Sequence, residues 1–294
     1  MLLRVNLGER IMTSLAGKEI VVTGATDGIG KVTARELAKM GASVTIVGRN
    51  ATKGAAVVHE LKQAAGHDRV AFVAADLSTQ KGNRAAAAAI KAQLKRLDVL
   101  LNNAGAMFQK RELTEDGIER TFALNHLGYF LLTHELLDLL KASGPSRIVS
   151  VASDAHKGAK LDLADLQNEK QYSSWRAYSQ SKLANIYFTY ELARRLQGSG
   201  VTANCLHPGF VASRFGDDNG GWIGFVLGAA KSLLAISEED GAKTSVFLAS
   251  APEVQGVSGK YFDKCAAIGS SAVSHDADVA RELWRQSERL TGVV

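Results

Sequence analysis

Short runs of β-branched and aliphatic residues alternate along the chain with longer stretches whose apolar positions recur every three or four residues. The runs at 19–23 (EIVVT), 43–47 (SVTIV), 70–74, 99–101, 146–151 and 201–206 predict strands. Helices are predicted from the glycine-rich turn after the first strand to residue 40, then at 52–64, 79–96, 114–141 and 175–197. A polar excursion fills 154–174. Beyond His207-Pro208-Gly209 the chain turns irregular and glycine-rich, and a helix at 237–250, a strand near 260–262 and a last helix at 276–290 close it. Strands that alternate with helices pair in parallel, and right-handed crossovers place helices on both faces. The pattern therefore predicts an α/β fold, a doubly wound parallel sheet of about seven strands.

Composition narrows the classes. At 294 residues the chain is near the upper size for one core, so residues 17–294 are expected to form a single domain and residues 1–16 a peripheral N-terminal extension. The 46% hydrophobic and 22% charged content is ordinary for a globular protein. The net charge of +5 is a small excess of 35 basic over 30 acidic residues, with no long basic block, which argues against nucleic acid as a partner. It suits an anionic small molecule, such as a phosphorylated cofactor. Cys205 and Cys265 alone cannot make a disulfide framework, so a reducing, cytoplasmic setting is expected. No run of about 20 apolar residues occurs, so no transmembrane helix is expected. His126 and His134 form no metal-binding pair, and no metal site is expected.

The turn after the first strand reads Thr23-Gly24-Ala25-Thr26-Asp27-Gly28-Ile29-Gly30. Gly24 allows a tight turn, Gly28 a close backbone approach to a pyrophosphate, and Gly30 close helix–strand packing. The helix that follows offers unbonded N–H groups to phosphates. The second strand ends in Arg49-Asn50, where an acidic residue would bind a ribose 2′-hydroxyl. A guanidinium there can instead pair with a 2′-phosphate, which favours NADP(H) over NAD(H). A solvated strand-end arginine is the alternative. Asp76-Leu77 and Asn102-Asn103-Ala104-Gly105 follow the third and fourth strands, at the carboxyl ends where a ligand would lie. The asparagines can equally brace local backbone.

Tyr178 and Lys182 are four residues apart on a predicted helix and so share a face. A nearby ammonium and a positively charged nicotinamide both favour phenolate and are expected to pull the Tyr178 pKa down from its usual value of about 10. A tyrosine so tuned can give a proton to a carbonyl or take one from an alcohol. Ser153 closes the fifth strand, where its hydroxyl could hold a substrate oxygen. Ser150 points to the opposite face if the strand alternates.

Together these segments resemble the short-chain dehydrogenase/reductase family: T-G-A-T-D-G-I-G for its cofactor loop, N-N-A-G after the fourth strand, and Y-S-Q-S-K after the fifth. The resemblance spans about Gly17 to Pro252 and implies a Rossmann-type fold. It further implies an Asn125, Ser153, Tyr178, Lys182 tetrad, in which Asn125 positions a water that links Lys182 to solvent. Asp76 would sit against the adenine, Lys182 would bind ribose, and Pro208-Gly209 would turn toward the cofactor amide. Ser153 and Tyr178 are 25 positions apart, about twice the spacing of many members. That longer insert, with Asn125-His126-Leu127-Gly128 and His207-Pro208-Gly209, resembles the retinol dehydrogenase-like branch.

By the same resemblance, residues 210–237 form a substrate lid whose Phe210, Trp222 and Phe225 would suit a lipophilic substrate, with His156 at its border. A solvated loop histidine is the other reading of His156, and a peripheral membrane contact is another use of the lid. His207 is read as facing the nicotinamide or as a packed strand-end residue. The helices at 114–141 and 175–197 are apolar over too wide an arc for one sheet, so a further element or a second subunit must cover them. In the family they are dimer helices. The expected activity is NADP(H)-dependent interconversion of a lipophilic, retinal-like carbonyl and its alcohol. Steroid, quinone or xenobiotic carbonyls are the alternative substrates, and a non-catalytic NADP-binding scaffold is the alternative of another class.

Overall fold

Strands β1 (Glu19–Thr23), β2 (Ser43–Gly48), β3 (Val70–Ala74), β4 (Val99–Asn102), β5 (Ser146–Val151), β6 (Val201–Leu206), β7 (Tyr261–Asp263) and β8 (Ala266–Ile268) form one sheet. Their order is 3-2-1-4-5-6-7-8. The first seven pair in parallel and β8 runs antiparallel to β7. This computed structural model describes residues 14–209 and 236–293. The expected lid, with Phe210, Trp222 and Phe225, thus lies almost wholly outside the described residues, as do residues 1–13.

Period-two alternation builds the two faces. Ile20 and Val22 point into one apolar cluster and Val21 into the other, all three fully buried. Helices α1 (Gly28–Lys39), α2 (Ala51–Ala65) and α7 (Glu238–Ser250) cover the first face. The second is covered by α3 (Gln80–Gln93), α5 (Gly128–Ser143), α6 (Ser174–Arg195) and α8 (Ala277–Thr291). Short polar residues start these helices by accepting free N–H groups: Asp27 for α1, Asn50 for α2, Thr79 for α3 and Asp276 for α8.

Several expected boundaries move. The eighth strand is absent from the sequence reading, because Lys264 and Cys265 make the β7–β8 turn at positive φ without glycine or asparagine. The helix expected from residue 114 begins at α4 (Arg120–Phe122), since Thr114 and Ile118 close a turn and Leu113 bridges Glu119. Glu119, fully buried, gives both carboxylate oxygens to the Thr121 and Phe122 N–H groups and so fixes that start. A π-helical turn, Ala123–Leu127, then joins α4 to α5. Leu15, placed by sequence in the extension, is buried and donates its N–H to the Met40 carbonyl.

The wide apolar arc of α5 and α6 is covered from within the chain. Helix α8 lays Trp284 edge-on to Phe130 at 4.9 Å and stacks it on Phe188 at 5.9 Å. Leu283 and Ala280 join Phe122, Leu127 and Leu183. Burying a side chain such as Leu283 contributes roughly 2 kcal/mol. Of the two covers the sequence allowed, a further element is therefore one that the chain supplies itself.

Candidate active site

With strands β1 to β6 parallel, their carboxyl-end loops converge on one edge of the sheet, and the order reverses between β1 and β4. A ligand binds at such a point. The β1–α1 loop is shaped for close approach. Gly24 has φ +64°, and a β-carbon there would stand 2.7 Å from the Ala104 Cα. Gly28 also has positive φ, +53°. At Gly30 a β-carbon would collide with the Asn103 amide at 2.4 Å and the Gly24 carbonyl at 2.5 Å, so this glycine serves packing within the loop.

Asp27 accepts from the Gly28 N–H at 3.0 Å and pairs with Lys53 at 2.5 Å. The first intrahelical bond of α1 is Lys31 N–H to the Asp27 carbonyl, which leaves the Ile29 and Gly30 N–H groups without helical partners. No acidic residue stands in that first turn. Thr26 leans against the end of β2, where a β-carbon at Gly48 would meet its methyl at 2.8 Å. The next residue, Arg49, is exposed, and among the described residues no carboxylate pairs with it. Asn50 acts as the α2 cap, accepting from the Lys53 N–H at 2.9 Å.

The loops after β3 and β4 are braced. Asp76 accepts from the Ser78 N–H at 2.9 Å and hydroxyl at 2.7 Å, and the buried Leu77 gives its carbonyl to Asn83. Asn103 donates its side-chain amide to the Thr23 carbonyl at 2.8 Å, while the Asn103 and Ala104 N–H groups both donate to the Thr23 hydroxyl. Asn102 donates to Thr133. The bracing role open to the asparagines is thus filled, and Thr23 is its hub. This threonine opens the glycine motif, and its bracing partners lie 80 residues away in sequence.

Asn125 sits on the π-helical turn, fully buried. Its amide accepts from the Ala106 N–H and donates to the Ala106 carbonyl and the Ser181 hydroxyl, each at 2.9 Å. Ser181 donates in turn to the Tyr178 carbonyl at 2.7 Å. Asn125 therefore ties the loop after β4 to α6. Ser181, inside the Y-S-Q-S-K motif, is the link between Asn125 and the Tyr178 backbone.

Tyr178 and Ser153 come together as expected and share a hydrogen bond between their side chains. Ser153 also accepts from the Ala155 N–H, which starts a short 3-10 turn, Asp154–His156. Ser150 is buried within the sheet. Lys182 is buried, donates to the Val151 carbonyl at 2.9 Å, and lies 5.7 Å from the ring centres of both Tyr129 and Tyr178. Two aromatic faces and a carbonyl hold this cation, without a carboxylate among the described residues.

In the protein alone, burial works against the lowering expected for Tyr178. Burial pushes the Tyr178 hydroxyl up to about 12, against a smaller opposing effect of the Ser153 hydrogen bond. Burial also pulls Lys182 down to about 7. Desolvation disfavours the charged form of each group. The protein alone thus holds Tyr178 as an acid beside a lysine that titrates near neutrality.

His156 is neither solvated nor open to a substrate. It is fully buried, its Nδ1 is 2.7 Å from the Ser153 carbonyl, and its Nε2 accepts from the Ser271 N–H. Both nitrogens are spent on holding backbone, which makes it a clamp for the serine loop. His207 is packed at its strand end, stacked on Tyr261 at 5.9 Å with its Nε2 3.3 Å from Asp263. It accepts from the Gly209 N–H, and Gly209 takes φ +84° after Pro208.

These loops fit a nicotinamide dinucleotide. The turn takes positive φ at Gly24 and Gly28 and leaves the Ile29 and Gly30 N–H groups without helical partners, and a β-carbon at Gly105 would fill the space beside the Lys182 ammonium. Fold and site together define a nucleotide-binding oxidoreductase. The short chain dehydrogenase family model matches residues 18–222, and the chain belongs to that family, whose members act on CH–OH donors. The chain is 43% identical over 285 residues to retinol dehydrogenase 13 of Mus musculus, covering 95% of this chain and 85% of that one. Among solved structures it resembles an uncharacterized protein from Mycobacterium Paratuberculosis, 35% identical with a TM-score of 0.78, covering 95% of each chain. A short chain dehydrogenase from Burkholderia cenocepacia J2315 in complex with NADP is 28% identical, with a TM-score of 0.68, covering 84% of this chain and 96% of that one. Among the described residues no helix is long and apolar enough to cross a membrane.

Proposed function

We propose that this protein interconverts a lipophilic, retinal-like aldehyde or ketone and its alcohol, with NADP(H) preferred over NAD(H), in a reducing, cytoplasmic setting. The observation that carries the reading is the meeting of the half-buried Ser153 with the buried Tyr178 and Lys182 at the carboxyl end of β5 and the adjoining loops. The likeness to retinol dehydrogenase 13 supports the substrate class, and the NADP complex of the Burkholderia relative supports the cofactor.

The loop from Gly24 to Gly30, with Thr26, Asp27 and Ile29, would hold the pyrophosphate. Arg49 would meet the 2′-phosphate, Asp76 and Leu77 would border the adenine, and Asn103, Ala104 and Gly105 would line the ribose side. Lys182 would bind that ribose, and Pro208 and Gly209 would meet the nicotinamide amide. When bound, the cofactor supplies the hydride. Tyr178, held protonated by burial, gives its proton to the carbonyl oxygen during reduction and takes it back from the alcohol during oxidation. Ser153 donates a hydrogen bond to that oxygen and stabilises its developing charge. Asn125 fixes α6 through Ser181 and so sets the height of Tyr178 against the β4 loop.

The test is absorbance at 340 nm with purified protein, NADPH or NADH, and aldehydes from propanal to all-trans-retinal together with steroid ketones. NADPH consumption with lipophilic aldehydes is expected. Tight NADPH binding without turnover of any carbonyl would overturn the enzymatic reading in favour of a scaffold.

A further inference from the structure

A cleft of about 710 Å³ opens beside the catalytic helix, walled by the loop from Ala155 to Asp162 and by the first turns of α6, Trp175 to Gln180. Its walls reach Ala155, whose N–H donates to Ser153, and Ser179, the neighbour of Tyr178. Trp175 stands one helical turn before Tyr178, with ring centres 6.2 Å apart. It is 60% exposed, the largest exposed apolar side chain among the described residues. The exposed part of this indole offers a broad apolar face beside Tyr178.

The wall opposite is held in place. Gln180 donates its amide to the Lys160 carbonyl at 2.8 Å, which fastens the loop to α6. The rim is cationic. Lys157 is paired with Asp154 at 2.6 Å, but Arg176 reaches Asp162 only at 3.9 Å, and Lys160 is exposed with no carboxylate partner among the described residues. Apolar face and loosely paired cations therefore line one cleft.

We propose that Trp175 is a specificity-determining residue on which the extended apolar body of the carbonyl substrate lies, with an anionic far end of that substrate at Lys160 and Arg176. This rests on the carbonyl–alcohol reading above and names the substrate class more closely: long-chain aldehydes or ketones that carry a terminal carboxylate or phosphate.

The experiment compares propanal, dodecanal and 12-oxododecanoate with NADPH in the wild type, Trp175→Ala, Trp175→Phe and Lys160→Glu. Trp175→Ala is expected to lower kcat/KM for dodecanal about tenfold relative to propanal, and Trp175→Phe to recover most of that loss. Lys160→Glu is expected to lower kcat/KM for 12-oxododecanoate relative to dodecanal. Equal effects on short and long aldehydes in Trp175→Ala would overturn the platform, and equal effects on the two dodecyl aldehydes in Lys160→Glu would overturn the anionic end. A second readout needs no turnover. Dodecanoate should quench tryptophan emission saturably in the wild type and not in Trp175→Ala, and its failure to quench the wild type would overturn the cleft assignment. Wild type inert toward every aldehyde, with quenching intact, would overturn the proposed reaction and leave the cleft standing as a binding site.

Discussion

Gly105 lies against Lys182: a β-carbon at position 105 would stand 3.2 Å from the ammonium nitrogen and 3.3 Å from the Asn125 amide oxygen. The backbone at Gly105 is not left-handed, so alanine strains nothing locally. Its methyl must instead displace the lysine or the asparagine by a few tenths of an ångström. Gly105→Ala is therefore expected to fold with a melting temperature close to wild type and to lose about tenfold in kcat, since small misplacements of catalytic groups are costly. Kinetics beside a thermal melt check this; wild-type kcat would show that the Lys182 position is not critical.

Tyr178 is held neutral by its surroundings, with Ser153 as its hydrogen-bond partner. Tyr178→Phe keeps the ring and removes only the proton donor. The fall in kcat for carbonyl reduction should be about 10²–10⁴-fold, the usual worth of a positioned acid. NADPH affinity, measured by fluorescence titration, should stay near wild type. Full activity in the variant would remove Tyr178 from its assigned role.

Local pattern carried most of this molecule. The six central strands and the glycine turn were legible because alternation at Ile20, Val21 and Val22 and the spacing of Gly24, Gly28 and Gly30 are short-range signals. The tyrosine–serine meeting was legible from motifs. What escaped depends on tertiary contact. Thr23 braces a loop that is 80 residues away in sequence. The rise of the Tyr178 pKa in the protein alone was not legible, because a helix spacing shows which charge is near, whereas desolvation depends on everything packed around the pair. The start of α4 at Arg120 was missed because Glu119 caps it from a position where glutamate usually reads as helix interior.

Arg49 is exposed at the carboxyl end of β2, close to the Thr26 side of the glycine loop. A charge-assisted pair with a 2′-phosphate is worth about 1.5–3 kcal/mol. Arg49→Asp replaces it with like-charge repulsion toward NADPH and offers an acceptor to the NADH ribose. The ratio of NADPH to NADH affinity should drop at least about tenfold, read as Kd for each cofactor. Equal losses for both cofactors would mean that Arg49 does not sense the 2′-phosphate.

Lys182 titrates at about 7 in the protein alone, and burial is the cause. Its charged form is the one that donates to a ribose hydroxyl and favours an anionic cofactor, so NADPH binding should weaken as pH rises above 7, by up to about tenfold per unit. Lys182→Arg keeps the charge across this range and should bind with little pH dependence from 6 to 9. Fluorescence titrations of both proteins over that interval decide the matter, and a flat wild-type profile would place the lysine's titration elsewhere. The same shift acts on folding with a defined sign. Between 7 and 10.5 the unfolded lysine holds a proton that the folded one has released, so this group favours the folded state increasingly as pH rises through that window. Denaturant midpoints should show a positive slope there that is smaller in a Lys182→Met variant, which has no proton to release.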